Sequence, residues 1–101
     1  MSRSDGRKAI FITGAASGIG RATARLFAER GWFVGAHDVN RAGLDELESE
    51  IGSANGVFAA LDVTDAAAFA AAMANFGEAT GGTLARIRGL MVVGGRRQRH
   101  E

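Results

Sequence analysis

The 101-residue sequence contains no cysteine, which excludes a disulfide framework and any thiolate metal site. Histidine occurs twice, at His37 and His100, and neither has a neighbour at metal-ligand spacing. No apolar stretch approaches the roughly 20 residues that a membrane-spanning helix needs. The opening "MSRSDGRKA" lacks the pattern of a signal peptide. By default the chain reads as cytoplasmic, with no membrane partner. Tyrosine is absent, and lysine occurs once, at Lys8.

What is present fits one small soluble domain, with 47% hydrophobic and 23% charged residues. The formal net charge of +1 hides an uneven distribution. Residues 1–84 carry seven basic and ten acidic side chains, while residues 85–101 carry five arginines and one glutamate. The last stretch therefore follows different compositional rules, and the chain divides into a body at 1–84 and a basic tail at 85–101.

"KAIFIT" (8–13) is a short apolar run with β-branched residues, the pattern of a strand buried on both faces. A helical period begins at Gly18, with Ile19, Ala22, Thr23, Leu26 and Phe27 as its expected apolar stripe. Gly31 is placed to stop that helix in a left-handed conformation. "WFVGAHD" (32–38) predicts a second strand, and Asn40 caps a second helix that buries Leu44, Leu47 and Ile51. "VFAALDV" (57–63) predicts a third strand. Thr64 is expected to cap an alanine-rich helix with Phe69, Met73 and Phe76 on one face, ended by Gly81-Gly82. "GLMVV" (89–93) offers a fourth strand. Strand and helix alternate with short connections, which argues an α/β fold with a parallel sheet covered by helices.

"TGAASGIG" (13–20) sets glycines between the first strand and the first helix. In that context the first glycine turns the chain tightly and the next admits a diphosphate close to the backbone. The last lets helix and strand pack closely. The helix amino terminus then presents unpaired N–H groups to the phosphates. Asp38 ends the second strand eighteen residues after Gly20, near the offset expected of a carboxylate that accepts hydrogen bonds from a ribose. His37 would lie on the adenine side and is read as structural.

These residues resemble the short-chain dehydrogenase/reductase family. Residues 13–20 resemble its Thr-Gly-x-x-x-Gly-x-Gly fingerprint, and "LDVTD" (61–65) resembles its Asp-Val pair after the third strand. The resemblance runs from about Lys8 to Leu84. It implies an incomplete doubly wound Rossmann-type fold: three layers, a parallel sheet of three or four strands, flanking helices. It also implies that Gly14, Ser17, Gly18, Ile19 and Gly20 line a pyrophosphate, that Asp38 and Val39 meet the adenosine ribose, and that Asp62 and Val63 meet the adenine. Thr13 is kept as a packing residue. Members that prefer NADP tend to carry a basic residue where this chain has Ser17 or Val39, so the expected cofactor is NAD. Arg41, nearby, is read as a solvated surface residue.

The family's hydride transfer uses a tyrosine, a lysine four residues later and a serine that orients the substrate. No tyrosine exists here, and Lys8 opens the first strand at the wrong end of the sheet. No catalytic residue is assigned, and the chain is expected to be inactive in isolation. After Leu84 the family's next strand and its Asn-Asn-Ala-Gly loop are replaced by "ARIRGLMVVGGRRQRHE". That text is expected of an amino-terminal half whose frame is shifted or cut near residue 85. Without a good fourth strand, the first strand exposes an apolar edge, which invites self-association or pairing with a full-length homologue. The arginines of "GGRRQRHE" are read as a solvated terminus in preference to a nucleic-acid contact, since no aromatic interleaves them.

Overall fold

The computed structural model describes residues 6–80 and, for the backbone, 91–93. The elements are β1 (Ala9–Thr13), α1 (Gly18–Glu29), β2 (Phe33–Asp38), α2 (Arg41–Ile51), a 3-10 turn (Ser53–Asn55), β3 (Gly56–Ala60), α3 (Ala66–Ala79) and β4 (Met91–Val93). The strands form one parallel sheet in the order β3-β2-β1-β4. β1 is buried at all five positions, as its unbroken apolar run requires. β4 pairs with its last three residues, Phe11 to Thr13, so β1 is an interior strand there. Residues 89 and 90 of the expected fourth strand lie outside the described residues, as do Gly81-Gly82 and the arginine cluster of the tail.

The pleat divides the core into two layers. Ile10, Ile12, Val34 and Ala36 point to one face and pack with Ala24, Leu44 and Leu47 of α1 and α2. Ala9, Phe11, Phe33 and Val57 point to the other, where Phe76 of α3 is fully buried and Phe69 and Met73 are partly so. Phe76 stacks on Phe33, with ring centroids 5.9 Å apart, and meets Phe11 edge-on at 5.6 Å. It lies against Gly35, where any Cβ would fall within 2.8 Å of the ring.

α1 departs from its expected stripe. Its buried residues are Gly20 and Ala24, with Phe27 and Ala28 partly buried, while Ile19 is 79% and Leu26 45% exposed. The reason lies in its neighbours. Arg21 reaches Glu46 and Glu50 of α2 at 3.2 and 2.8 Å, so the Arg21/Arg25 flank faces α2. At 3.6 residues per turn, Ile19, Thr23 and Leu26 fall on the flank pointing away from α2, toward the β4 side of the sheet. No helix among the described residues covers that flank.

Two smaller differences follow from local hydrogen bonding. β3 ends at Ala60, short of Val63, because the chain turns through Val63 and Thr64, where the Asp65 N–H donates to the Asp62 carbonyl at 3.0 Å. Asp65, not Thr64, caps α3 by accepting from the Ala68 N–H at 3.0 Å. Thr64 is occupied with Asp62, to which its N–H and hydroxyl both donate. α3 runs unbroken through Gly77 to Ala79, with Thr80 as its C-cap. Asn40 caps α2 through the Gly43 N–H at 3.0 Å, and Gly31 follows α1 at a φ of 87°.

Candidate functional site

The chain leaves β1 through Gly14, whose φ of 71° is a left-handed conformation that glycine adopts without a Cβ penalty. Two bonds then strap the loop to the end of β2. The Ala15 N–H donates to the His37 carbonyl at 3.0 Å, and the Ala16 N–H donates to Asp38 Oδ2 at 3.0 Å. Gly18, at a φ of 61°, opens α1 into free space: a Cβ there meets nothing within 4 Å. Gly20 is the opposite case. It is buried, and a Cβ would collide with the carbonyl of Gly14, so only glycine permits this approach of helix to loop.

The amino terminus of α1 is open. Ser17 stands at the N-cap, but its side chain makes no capping bond, and no acidic residue lies in the first turn. The first N–H groups of a helix have no intrahelical acceptor, and they carry the positive end of its dipole. Ser17, Gly18 and Ile19 are all solvent-exposed. Such an end accepts an anion without rearrangement.

Asp38 stands beside it, half-buried, with each carboxylate oxygen holding one backbone N–H: Oδ2 that of Ala16, Oδ1 that of Asn40 at 2.9 Å. Each oxygen keeps accepting capacity for a ligand hydroxyl. Asn40 and Ala16 thus join the site through their main-chain N–H groups, outside the fingerprint positions. Asn40 is legible as a cap, whereas nothing in the identity of Ala16 signals that its amide holds the carboxylate. The Leu61 N–H donates to the Asp38 carbonyl at 3.0 Å and ties the end of β3 to that of β2. Asp62 follows, its carboxyl held below the usual carboxylate range by the hydroxyl and N–H of Thr64. Val39 and Val63, 64% and 48% exposed, leave two apolar side chains in solvent just past these strand ends.

The glycine loop and the residues that follow β2 and β3 therefore lie along the carboxyl edge of one sheet. From β1 the chain passes through α1 to β2 and β3, then returns past β1 to β4. The strand order reverses between β1 and β4, and a crevice at such a reversal is where open α/β sheets bind ligands. His37 does not join this edge. Its ring is buried on the α3 face and stacked on Phe11 at 4.4 Å, and burial pushes its pKa down despite the carbonyls of Ile12 and Gly35. Its Nδ1 and the hydroxyl of Thr13, its register partner, have no hydrogen-bond partner among the described residues. Those residues contain no cluster of three metal-ligating side chains and no helix long and apolar enough to cross a membrane.

The sequence matches the short chain dehydrogenase family over residues 8–99, a range that continues past Leu84. It is similar to a 2,5-dichloro-2,5-cyclohexadiene-1,4-diol dehydrogenase of Sphingobium indicum, with 44% identity over 92 residues, 87% of this chain and 37% of that protein. A Brucella melitensis 3-ketoacyl-(acyl-carrier-protein) reductase, solved with NADH, superposes with a TM-score of 0.65 at 33% identity, over 75% of this chain and 31% of that one. A glucose/ribitol dehydrogenase from the same organism gives 0.69 at 32% identity, over 75% and 33% of the two chains. The chain thus spans about a third of the length of these relatives. With its fingerprint loop, its parallel α/β sheet and a match across most of its residues, the chain belongs to the short chain dehydrogenase family, whose members use nicotinamide cofactors.

Proposed function

We propose that this chain is the dinucleotide-holding portion of a short-chain dehydrogenase, that it takes NAD(H) in preference to NADP(H), and that by itself it binds without turnover. The observation that carries the reading is the Asp38 carboxylate strapped to the glycine loop through the Ala16 N–H. The residues fit such a ligand. Exposed N–H groups at the start of α1, beside open space at Gly18, suit a diphosphate. Asp38 suits the unphosphorylated ribose and repels a 2′-phosphate. Val39 and Val63 offer apolar contact to an adenine, with Asp62 as an acceptor for its amino group. The bound NADH in the similar Brucella reductase supports the ligand class.

When bound, the nicotinamide supplies hydride transfer to or from an alcohol or carbonyl, the reaction class that the relatives' names describe. This chain's residues hold the adenosine diphosphate end. Its lack of tyrosine leaves no family proton donor, so turnover is not expected. The same reading divides the chain near residue 84 and assigns it to the cytoplasm.

Calorimetric titration of the 101-residue chain tests it. NAD⁺ should bind more tightly than NADP⁺, and Asp38→Ala should cost NAD⁺ affinity about tenfold and abolish the preference. Equal affinity for the two dinucleotides in the unaltered chain refutes the assignment. Oxidation or reduction of substrate by the chain alone refutes the inactive half of it.

The uncovered flank of α1 favours a second reading, self-association. Ile19 and Leu26 leave apolar surface in water, and β4 has no outer strand among the described residues. Sedimentation across a concentration series should show the average mass rising, and a single monomeric species throughout contradicts it.

A further inference from the structure

Resting on the proposed dinucleotide site, we infer that His37 is a positioning residue for it. The neutral ring anchors the end of β2 to which both straps of the glycine loop are tied, and a proton on the ring releases them. The ring stays off the carboxyl edge, yet its own main chain is part of the joint. The His37 carbonyl accepts from the Ala15 N–H at 3.0 Å, and the carboxylate of the next residue, Asp38, accepts from the Ala16 N–H at 3.0 Å. Both bonds depend on where the last two residues of β2 sit, because a hydrogen bond weakens steeply once its geometry slips.

His37 is 1% exposed and its ring stacks on Phe11 at 4.4 Å; Phe11 in turn meets Phe69, near the start of α3, edge-on at 5.9 Å. Thr13 and His37 form the last rung of the β1–β2 ladder, and both side chains point to the α3 face. The Thr13 hydroxyl and His37 Nδ1 are buried there without a partner among the described residues. A neutral imidazole fits such a layer as a flat, largely apolar ring. An imidazolium does not, because both nitrogens then donate and the charge needs an acceptor. No carboxylate among the described residues supplies one. β3 and residues 91–93 of β4 have no titratable side chain, Lys8 precedes the far end of β1, and α3 has none from Ala66 to Gly77. Glu78 lies in the last turn of α3, while the start of that helix carries the positive end of its dipole. Asp62 and Asp65, exposed between β3 and α3, are engaged by Thr64 and by the Ala68 N–H. Asp38 leaves the strand on the opposite face and holds the Ala16 and Asn40 N–H groups. The carbonyls of Ile12 and Gly35 favour a charged ring, but burial outweighs them and pushes the pKa down. Once protonated, the ring turns toward water, and the end of β2 moves with it, away from Ala15 and Ala16.

The test uses the 101-residue chain carrying His100→Gln, so that His37 is its single imidazole. NAD⁺ affinity is measured by calorimetric titration from about pH 7.5 to about pH 5, above the range near 4 where carboxylates ordinarily titrate. Far-UV circular dichroism at each pH separates loss of binding from loss of fold. Below the midpoint of the ring's titration, affinity should fall about five- to tenfold per pH unit, tenfold being the limit for one linked proton. Saturating NAD⁺ should in turn move the ring's titration, followed by NMR of its carbon-bound protons, to lower pH, because the linkage is reciprocal. His37→Phe keeps a ring against Phe11 and cannot titrate, so it should flatten the affinity profile. A flat profile in the folded chain with His37 in place overturns the inference, as does a slope that survives His37→Phe. So does a ring titration that NAD⁺ leaves where it was, and that arm decides even where His37→Phe does not fold. If the chain binds NAD⁺ through Asp38 at neutral pH and the histidine arms are silent, only this inference fails. If it binds neither dinucleotide at any pH, the proposed function fails first and this falls with it.

Discussion

The amino termini of α2 and α3 are each closed by a side chain, Asn40 on the Gly43 N–H and Asp65 on the Ala68 N–H, whereas Ser17 caps nothing at α1. Residue type does not explain the difference, because serine ranks with asparagine and aspartate as a cap. The backbone does. Asn40 and Asp65 have φ, ψ of −86°, 93° and −93°, 102°, which turn their side chains over the first turn. Ser17 is more extended, at −156°, 165°, and its hydroxyl misses those N–H groups. A closed end contributes to stability, while an open end is available to a ligand. The same sheet edge carries both.

The largest break in this contrast comes from Gly20→Ala. The new Cβ strikes the carbonyl of Gly14, a backbone group that cannot swing aside. We expect a loss of about 2–4 kcal/mol, read as a lower urea midpoint, together with loss of NAD⁺ binding. Caps come next. Asn40→Ala and Asp65→Ala should each cost about 1 kcal/mol in urea unfolding, while Ser17→Ala should cost nothing measurable. A stability loss at Ser17 equal to the other two would erase the distinction between open and closed ends.

The smallest effect is a pH slope. Burial holds His37 below its ordinary value of 6.5, so the unfolded chain binds the proton more readily than the folded one. Stability is therefore full at neutral pH and declines as the pH falls through the unfolded value. Replacing His37 with phenylalanine should flatten that part of a pH series of urea midpoints.

Much of this arrangement is legible in the sequence because it is local. Apolar runs mark β1 and β2, Asn40 announces the start of α2, and the fingerprint at 13–20 marks the loop. What escapes is set by neighbours. Ile19 and Leu26 keep the helical period of a buried stripe, yet α1 has a helical partner among the described residues on one flank only. Thr64 is a good cap by type, but Asp62 claims it and Asp65 takes the end of α3. The strap from Ala16 to Asp38 joins residues 22 apart through a main-chain amide, and no side chain encodes it.

The two sides of α1 answer to opposite solvents. Dissolved ions loosen the attraction that Arg21 and Arg25 have for Glu46 and Glu50. Strongly hydrated salts such as sulfate drive apolar surface like that of Ile19 and Leu26 out of contact with water. Ammonium sulfate should therefore weaken the pairing of α1 with α2 while making the molecule stickier along the other side of the same helix. The buffer that best suits its charges is the one that best keeps its copies apart.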